Sequence, residues 1–228
     1  MLVATLTFSC TASVLSAETI KESRNLGQFS SISLVISADV YLMQGTTQNV
    51  EIEGDKNDLA EIETIVADGV LKIGTKNHHG GNFGDITIYI TVPVINGLSV
   101  SGSGDIKAKS GLKTDELDLS VSGSGSIDIK DLTVREVSAI ITGSGNIDIE
   151  SGQAQSELDI EIKGSGSFSG EGFAAEEADI TITGSGSAAV WAVKELDTHI
   201  TGSGSVNYKG NPQVNAVSTG SGKTRSIQ

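Results

Sequence analysis

A chain of 228 residues with 29 acidic against 15 basic side chains carries a formal net charge of −14. That balance excludes nucleic acid as a partner, because phosphate binding draws its affinity from Lys and Arg, and it argues against electrostatic docking on anionic lipid. Aromatics make up 4% of the residues against 28 glycines and 2 prolines, which suits stacked repeats filled by Ile, Val and Leu better than a two-layer core of bulky rings.

The first seventeen residues, MLVATLTFSCTASVLSA, hold no charge and the sole cysteine, Cys10. Met1 to Leu15 is too short to span a bilayer, and Ser16-Ala17 before Glu18 resembles a small-residue cleavage point. Residues 1–17 therefore read as a signal peptide, with a cut after Ser16 fitting as well as one after Ala17. Cys10 as a lipid anchor is the weaker reading, since Thr7-Phe8-Ser9 offers no aliphatic residue three positions ahead of it. Export leaves a mature chain without cysteine, so stability must come from strand ladders and stacking.

Residues 18–94 read as a strand-rich N-terminal part. Ile32, Leu34 and Ile36 alternate with polar residues, Val40 and Leu42 follow, and Gly45 to Gln48 makes a turn before Val50-Glu51-Ile52-Glu53. Asn57 to Asp68 fits either a helical turn or an irregular strand. Asp68-Gly69 is a hairpin signal leading into Val70 to Ile73. Asn77 to Asn82 is a loop, Ile86 to Val92 is a strand, and Pro93 marks an edge or junction.

Residues 95–228 are periodic. Gly-Ser-Gly begins at Gly102, Gly123, Gly143, Gly164, Gly184, Gly202 and Gly220, at intervals of 21, 20, 21, 20, 18 and 18 residues. A period near 20 predicts a β-solenoid. Counting in twos from the apolar residues puts both glycines of each copy on the inward face: Gly102 and Gly104, Gly123 and Gly125, Gly143 and Gly145, Gly164 and Gly166, Gly184 and Gly186, Gly202 and Gly204, Gly220 and Gly222. Such pairs mark bends where an inward side chain would collide, while Ser103, Ser124, Ser144, Ser165, Ser185 and Ser203 form an outer row able to share hydroxyl hydrogen bonds. Lys109 to Asp115 and Gly170 to Glu177 read as outer loops, and Thr219 to Lys223 as the terminal edge.

The order Ser30-Ser31-Ile32-Ser33, Ala38 to Gly45, Val50 to Glu53, Asp68 to Ile73, Ile88 to Pro93 and Leu98 to Gly104 resembles the GIN-domain family, head domains of autotransporter adhesins, over about residues 25–222. The resemblance implies a right-handed parallel β-helix-like fold and an exported location, and it supplies no catalytic motif.

A calcium ladder is disfavoured because the acidic position drifts: Ser126, Asn146, Ser167, Ser187 and Ser205 stand where the first copy has Asp105, with Asp128 and Asp148 two residues on. Solvated strand faces are the better reading. His78-His79 has no ligand partner at metal spacing, and His199 alternates outward. Glycosidase or lyase chemistry wants clustered carboxylates or cations, whereas Arg24, Arg135 and Arg225 stand isolated and Glu171, Glu176 and Glu177 fall in a loop. Trp191, Tyr41 and Tyr89 offer sugar stacking or ordinary surface. The chain is thus expected to be an exported, non-enzymatic all-β solenoid without cofactor, an adhesin or envelope surface-binding protein placed in the periplasm, on the outer membrane surface or outside the cell. Its partner would be a protein or glycan surface ligand, with a homo-oligomer as a further form. The alternatives are a polysaccharide lyase or hydrolase on the same scaffold and a self-assembling envelope structural protein.

Overall fold

Alternation of aliphatic and polar residues turns nearly every described segment into a strand with one buried and one exposed edge of side chains. The structure, a computed structural model, describes residues 18–76 and 83–227. The signal-peptide reading, Cys10 and the His78-His79 pair lie outside the described residues.

The chain runs β1 (Thr19–Ser23), β2 (Ser31–Leu34), β3 (Asp39–Gln44), β4 (Asn49–Asp55), helix α1 (Lys56–Glu61), β5 (Ile62–Ala67), β6 (Val70–Thr75) and β7 (Thr87–Val92). The repeats follow as β8 (Gly97–Gly102), β9 (Asp105–Ala108), β10 (Leu112–Lys113), β11 (Glu116–Gly123), β12 (Ser126–Ile129), β13 (Leu132–Gly143) and β14 (Asn146–Ile149). Then come β15 (Gly152–Gly164), β16 (Ser167–Gly184), β17 (Ser187–Gly202), β18 (Ser205–Lys209), β19 (Gln213–Gly220) and β20 (Lys223–Ser226).

They wind into a parallel β-solenoid whose coils have three walls. The first wall ends at the tripeptide and stacks β8, β11, β13, β15, β16, β17 and β19 in parallel, so the seven leading glycines stand one above another. The second wall follows the tripeptide and stacks β9, β12, β14, the starts of β16 and β17, then β18 and β20. A short third wall pairs Leu112 with Leu132, Leu132 with Gly152, and Gly152 with Phe173. Aliphatic columns fill the interior, such as Val100, Val121, Ile141, Ile162, Ile182 and Ile200, each at most 1% exposed.

The expected outer loop from Gly170 to Glu177 is instead strand, inside β16. Register shifts between Gly170 and Ala174, and between Ala175 and Glu177, absorb the extra residues while Phe173 and Ala175 point inward. Within Lys109 to Asp115, likewise, Leu112 is buried in β10.

Chain order and spatial order part company at the N-terminal end. β2 lies between β6 and β8, and β3 between β7 and β9, all parallel. The first coil in sequence is therefore the second in space. Beyond β6 and β7 the direction reverses: β5 runs antiparallel to β6, β4 antiparallel to β7, and β1 antiparallel to β4. Residues 57–68 supply both alternatives read from the sequence, a helix ending at Glu61 and then β5. Asp55 caps the helix by accepting from the Asn57 amide at 2.8 Å, and Leu59 closes the interior. The Asp68-Gly69 hairpin forms with both residues at positive φ, 52° and 75°.

The two glycines of each tripeptide have different tasks. Gly143 turns the corner at φ 115°, and a Cβ added there would lie 2.6 Å from the carbonyl oxygen of Gly123 in the coil before. Positive φ breaks the two-residue alternation, so this glycine sits at the corner and not on the inward face. Gly145 does face inward, where an added Cβ would meet Val121 Cγ1 at 2.4 Å and the Gly125 carbonyl at 2.5 Å. Between them the Ser144 amide donates to the Gly123 carbonyl at 2.8 Å, and the same bond recurs at Ser124, Ser165, Ser185 and Ser203. Backbone amides, not the expected hydroxyls, join successive corners.

Gly143→Ala combines left-handed strain with backbone collision and is expected to cost about 2–4 kcal/mol in urea unfolding. Gly74→Ala, at ordinary φ with nothing within 4 Å of the added carbon, should stay within about 0.5 kcal/mol of the parent. Equal midpoints for the two variants would refute the corner assignment.

Candidate functional site

Because the coils stack in register, any outward position that keeps its residue type becomes a column. On the first wall Glu116, Glu136, Glu157, Glu177 and Glu195 stand one above another and end at Gln213. Two residues on, Asp118, Ser138, Asp159, Asp179 and Asp197 form a second column ending at Asn215. Strands are spaced by about 4.8 Å, so nine carboxylates form a two-column lattice on a flat wall. Glu177, expected in a loop, is a member of it.

The outward acids also keep the period of the tripeptide. Measured from each leading glycine, Glu lies seven residues before and Asp five residues before, in ELDLSVSG, ELDIEIKG, EADITITG and ELDTHITG alike. That offset was the available signal.

Neutralisation is partial. Arg135, isolated from other cations in the sequence, reaches in space Asp115 at 3.2 Å, Glu116 at 2.5 Å and Glu136. Lys163 pairs with Glu161 and Lys194 with Glu176 at the lattice margin. Among the described residues no ion pair involves Glu157, Glu177, Glu195, Asp159, Asp179 or Asp197. Burial pushes the Asp159 carboxyl above its ordinary range, with Asp179 and then Glu161 adding like-charge repulsion. A shallow hollow of about 190 Å³ between Glu116, Glu136, Glu157 and Asp159 opens along these columns.

The second wall differs. Tyr41 and Tyr89 are in register and stacked, ring centroids 5.7 Å apart at 24°. Lys21 lies over Tyr89 at 4.1 Å and Lys109 over Tyr41 at 5.1 Å, so ammonium groups, not open ring faces, flank the stack. Lys107 bridges Asp39 at 2.7 Å and Asp105 at 3.3 Å. Asp105 also accepts from the Ser126 hydroxyl at 3.0 Å, and Ser167 donates to Asn146 at 2.6 Å along the same row. Burial raises the Asp128 carboxyl too, with Asp105 and Asp148 adding to the effect against an opposing Ser126 hydrogen bond.

The remaining candidates stay apart. His199 is exposed, Arg225 is exposed on β20, and Trp191 is half-buried beneath Lys209 at 4.2 Å. Arg24 pairs with Glu22 at 3.1 Å and donates to the Leu59 carbonyl at 3.2 Å near the N-terminal end. Among the described residues no three His, Cys, Asp or Glu side chains are grouped to hold a metal ion, and no helix is long and apolar enough to cross a membrane.

A family model described as "Putative auto-transporter adhesin, head GIN domain" matches residues 28–212. A solved structure described as a putative adhesin, from Bacteroides fragilis NCTC 9343, is similar at 29% identity and a TM-score of 0.86, covering 93% of this chain and 98% of that one. A putative lipid binding protein from Parabacteroides distasonis ATCC 8503 shares the fold at 24% identity and a TM-score of 0.77, covering 92% and 97%. So does a putative adhesin from Parabacteroides merdae ATCC 43184, at 24% identity and a TM-score of 0.74 with the same coverages. No curated protein matches the chain.

A carboxyl whose folded pKa lies above its unfolded value stabilises the fold only while protonated. The cost of ionising Asp159 is thus absent below about pH 4, grows as pH rises through the window up to its raised value, and is constant above that window. Asp159→Asn should melt higher than the parent at pH 7, the advantage vanishing below about pH 4 and shrinking with added salt. A variant that melts lower at pH 7 would contradict the electrostatic account.

Proposed function

From the premise that the chain belongs to the family of auto-transporter adhesin head GIN domains, we propose that it is an exported, non-enzymatic surface-binding protein whose first wall engages an extended protein or glycan ligand. The observation that carries this reading is the carboxylate lattice, two columns repeated at strand spacing on one flat wall. Carboxylates accept hydrogen bonds strongly, and a periodic row of acceptors suits a polymer that presents hydroxyl or cationic groups at regular intervals. Its charge disfavours a polyanion. Regular spacing also multiplies weak contacts into useful affinity without a deep pocket. The role requires export, in keeping with the uncharged residues 1–17. N-terminal sequencing of protein from its native cell addresses that point.

A polysaccharide-cleaving enzyme is the second reading, and Asp159 is what favours it: a carboxyl whose pKa is raised by burial and by the neighbouring Asp179 stands beside a second acid, and paired carboxyls are what acid/base chemistry uses. Against it, the pairing recurs along an open wall without an enclosing cleft.

Glycan arrays and extracellular-matrix panels, probed with the parent and with Glu177→Ala/Asp179→Ala, separate the two. Binding that weakens at least about tenfold in the variant, with the polysaccharide recovered intact, is expected. Binding indifferent to the substitutions would remove the lattice from the proposal, and new reducing ends or unsaturated products would establish the enzyme.

A further inference from the structure

The carboxylate columns stop one strand short of the C-terminal end of the solenoid. Where five coils place Glu and four place Asp, β19 has Gln213 and Asn215, isosteres that keep the hydrogen-bonding shape and drop the charge. The whole strand, QVNAVSTG, is uncharged, and all eight residues are exposed. Among the described residues it pairs with β17 alone, which leaves a row of backbone donors and acceptors along its outer side. Edge strands are normally guarded by charge, proline or a bulge within the strand. β19 has none of these.

We propose that β19 is a self-association edge, joining two copies of this chain through antiparallel pairing of β19 with its own counterpart about a two-fold axis centred near Ala216. Side-chain parity requires the axis to fall on a residue, and Ala216 lies beside the middle of the strand, so nearly all of β19 is paired. Val214, Ala216 and Ser218 continue the inward columns of Leu196, Thr198 and Ile200. In the antiparallel pair Val214 faces Ser218 of the second copy on the interior side, and Asn215 faces Val217 on the outer side, where Val217 is 48% exposed in the single chain. Each contact then occurs twice, as an isologous interface requires.

Charge selects this arrangement. With Gln213 and Asn215 in place, the nearest facing columns, at Glu195 and Asp197, are three strand spacings or about 14 Å apart across the junction, beyond the Debye length of about 8 Å at physiological salt. Had the last coil kept Asp at position 215, the two copies' carboxylates there would meet diagonally at about 7–8 Å. The opposite end does not offer an equivalent surface. There β1 lies outside β4 on the second wall while β5 lies directly on β6 on the first, a stepped edge. The C-terminal end is flush, with β19 and β20 on the same coil. A step cannot meet a flush end on both walls, so association closes at two copies and does not propagate head to tail.

The interior at this end is only partly apolar: beside Val214 and Ala216, Thr198 and Thr224 share a hydrogen bond at 2.9 Å, and Ser218 and Ser226 occupy inward positions. The join is therefore held by backbone bonds and little apolar burial, which makes it weak and reversible.

Sedimentation velocity of the purified chain over a wide concentration range, with amide exchange read in parallel, tests the proposal. One reversible monomer–dimer step is expected, with exchange in residues 213–220 slowing as the dimer forms. Gln213→Glu/Asn215→Asp restores residues that other coils already carry at these positions. It should weaken the dimer at least about tenfold at low salt, with recovery near 1 M salt, where the Debye length falls to about 3 Å. Val217→Lys should weaken it as well. Monomer at every concentration, an open-ended series of oligomers, protection outside β19, or a dimer unmoved by both variants would each overturn the assignment.

Discussion

The corner at the leading glycine sets the register on which the whole structure depends. There the carbonyl of one coil receives the serine amide of the next at about 2.8 Å, at a distance no Cβ could share. Each coil must return to the same place, whatever its length. Copies that differ by up to three residues meet this demand by absorbing the difference elsewhere, at register shifts such as Val134 to Glu136 and Ala154 to Glu157 near the third corner. Strict stacking at one corner and tolerance at another let imperfect repeats build straight columns.

Straight columns serve the interior and burden the exterior. Inside, like side chains stack on like, and each buried Ile, Val or Leu contributes roughly 1.5–3 kcal/mol. Outside, the same register sets carboxylate above carboxylate, at a cost of a few tenths to about 1 kcal/mol per facing pair. The interior term is larger, so the wall can carry a charge pattern that an isolated sheet would resist. Function and stability thus draw on one geometric fact: a position repeated in sequence is repeated in space.

The two ends meet the open ladder in different ways. At the N-terminal end the chain reverses direction, lays β4 and β5 antiparallel across the first coil in space, and seals the interior with Leu59. At the other end direction never reverses. Several inward residues instead turn polar, Ile180 giving way to Thr198, Ile200 to Ser218 and Val206 to Thr224 along their columns, so solvent meets hydroxyls at positions that would otherwise be aliphatic.

Much of this was legible in the linear chain. The tripeptide period announced stacked coils, and strict alternation puts Ile106, Ile127 and Ile147 on the inward face, where all three are fully buried. Asp68-Gly69 marked its hairpin, because turn chemistry is local to two residues. Other features were written in the sequence but needed register to be recognised, above all the Glu and Asp offsets that become columns. Gly170 to Glu177 reads as loop from its glycines and charges, yet Phe173 and Ala175 give it an interior to face. Tyr41 and Tyr89 are unrelated in sequence and adjacent in space. What the residues determined alone was the repeat, the inward phase and the need for glycine at each bend, since these follow from steric limits within a few residues. Which strand lies beside which, the second place of the first coil, and the side of the ladder left open were decided by tertiary pairing. Strands of similar pattern compete for each neighbour, and only the closed interior of the assembled stack selects among them.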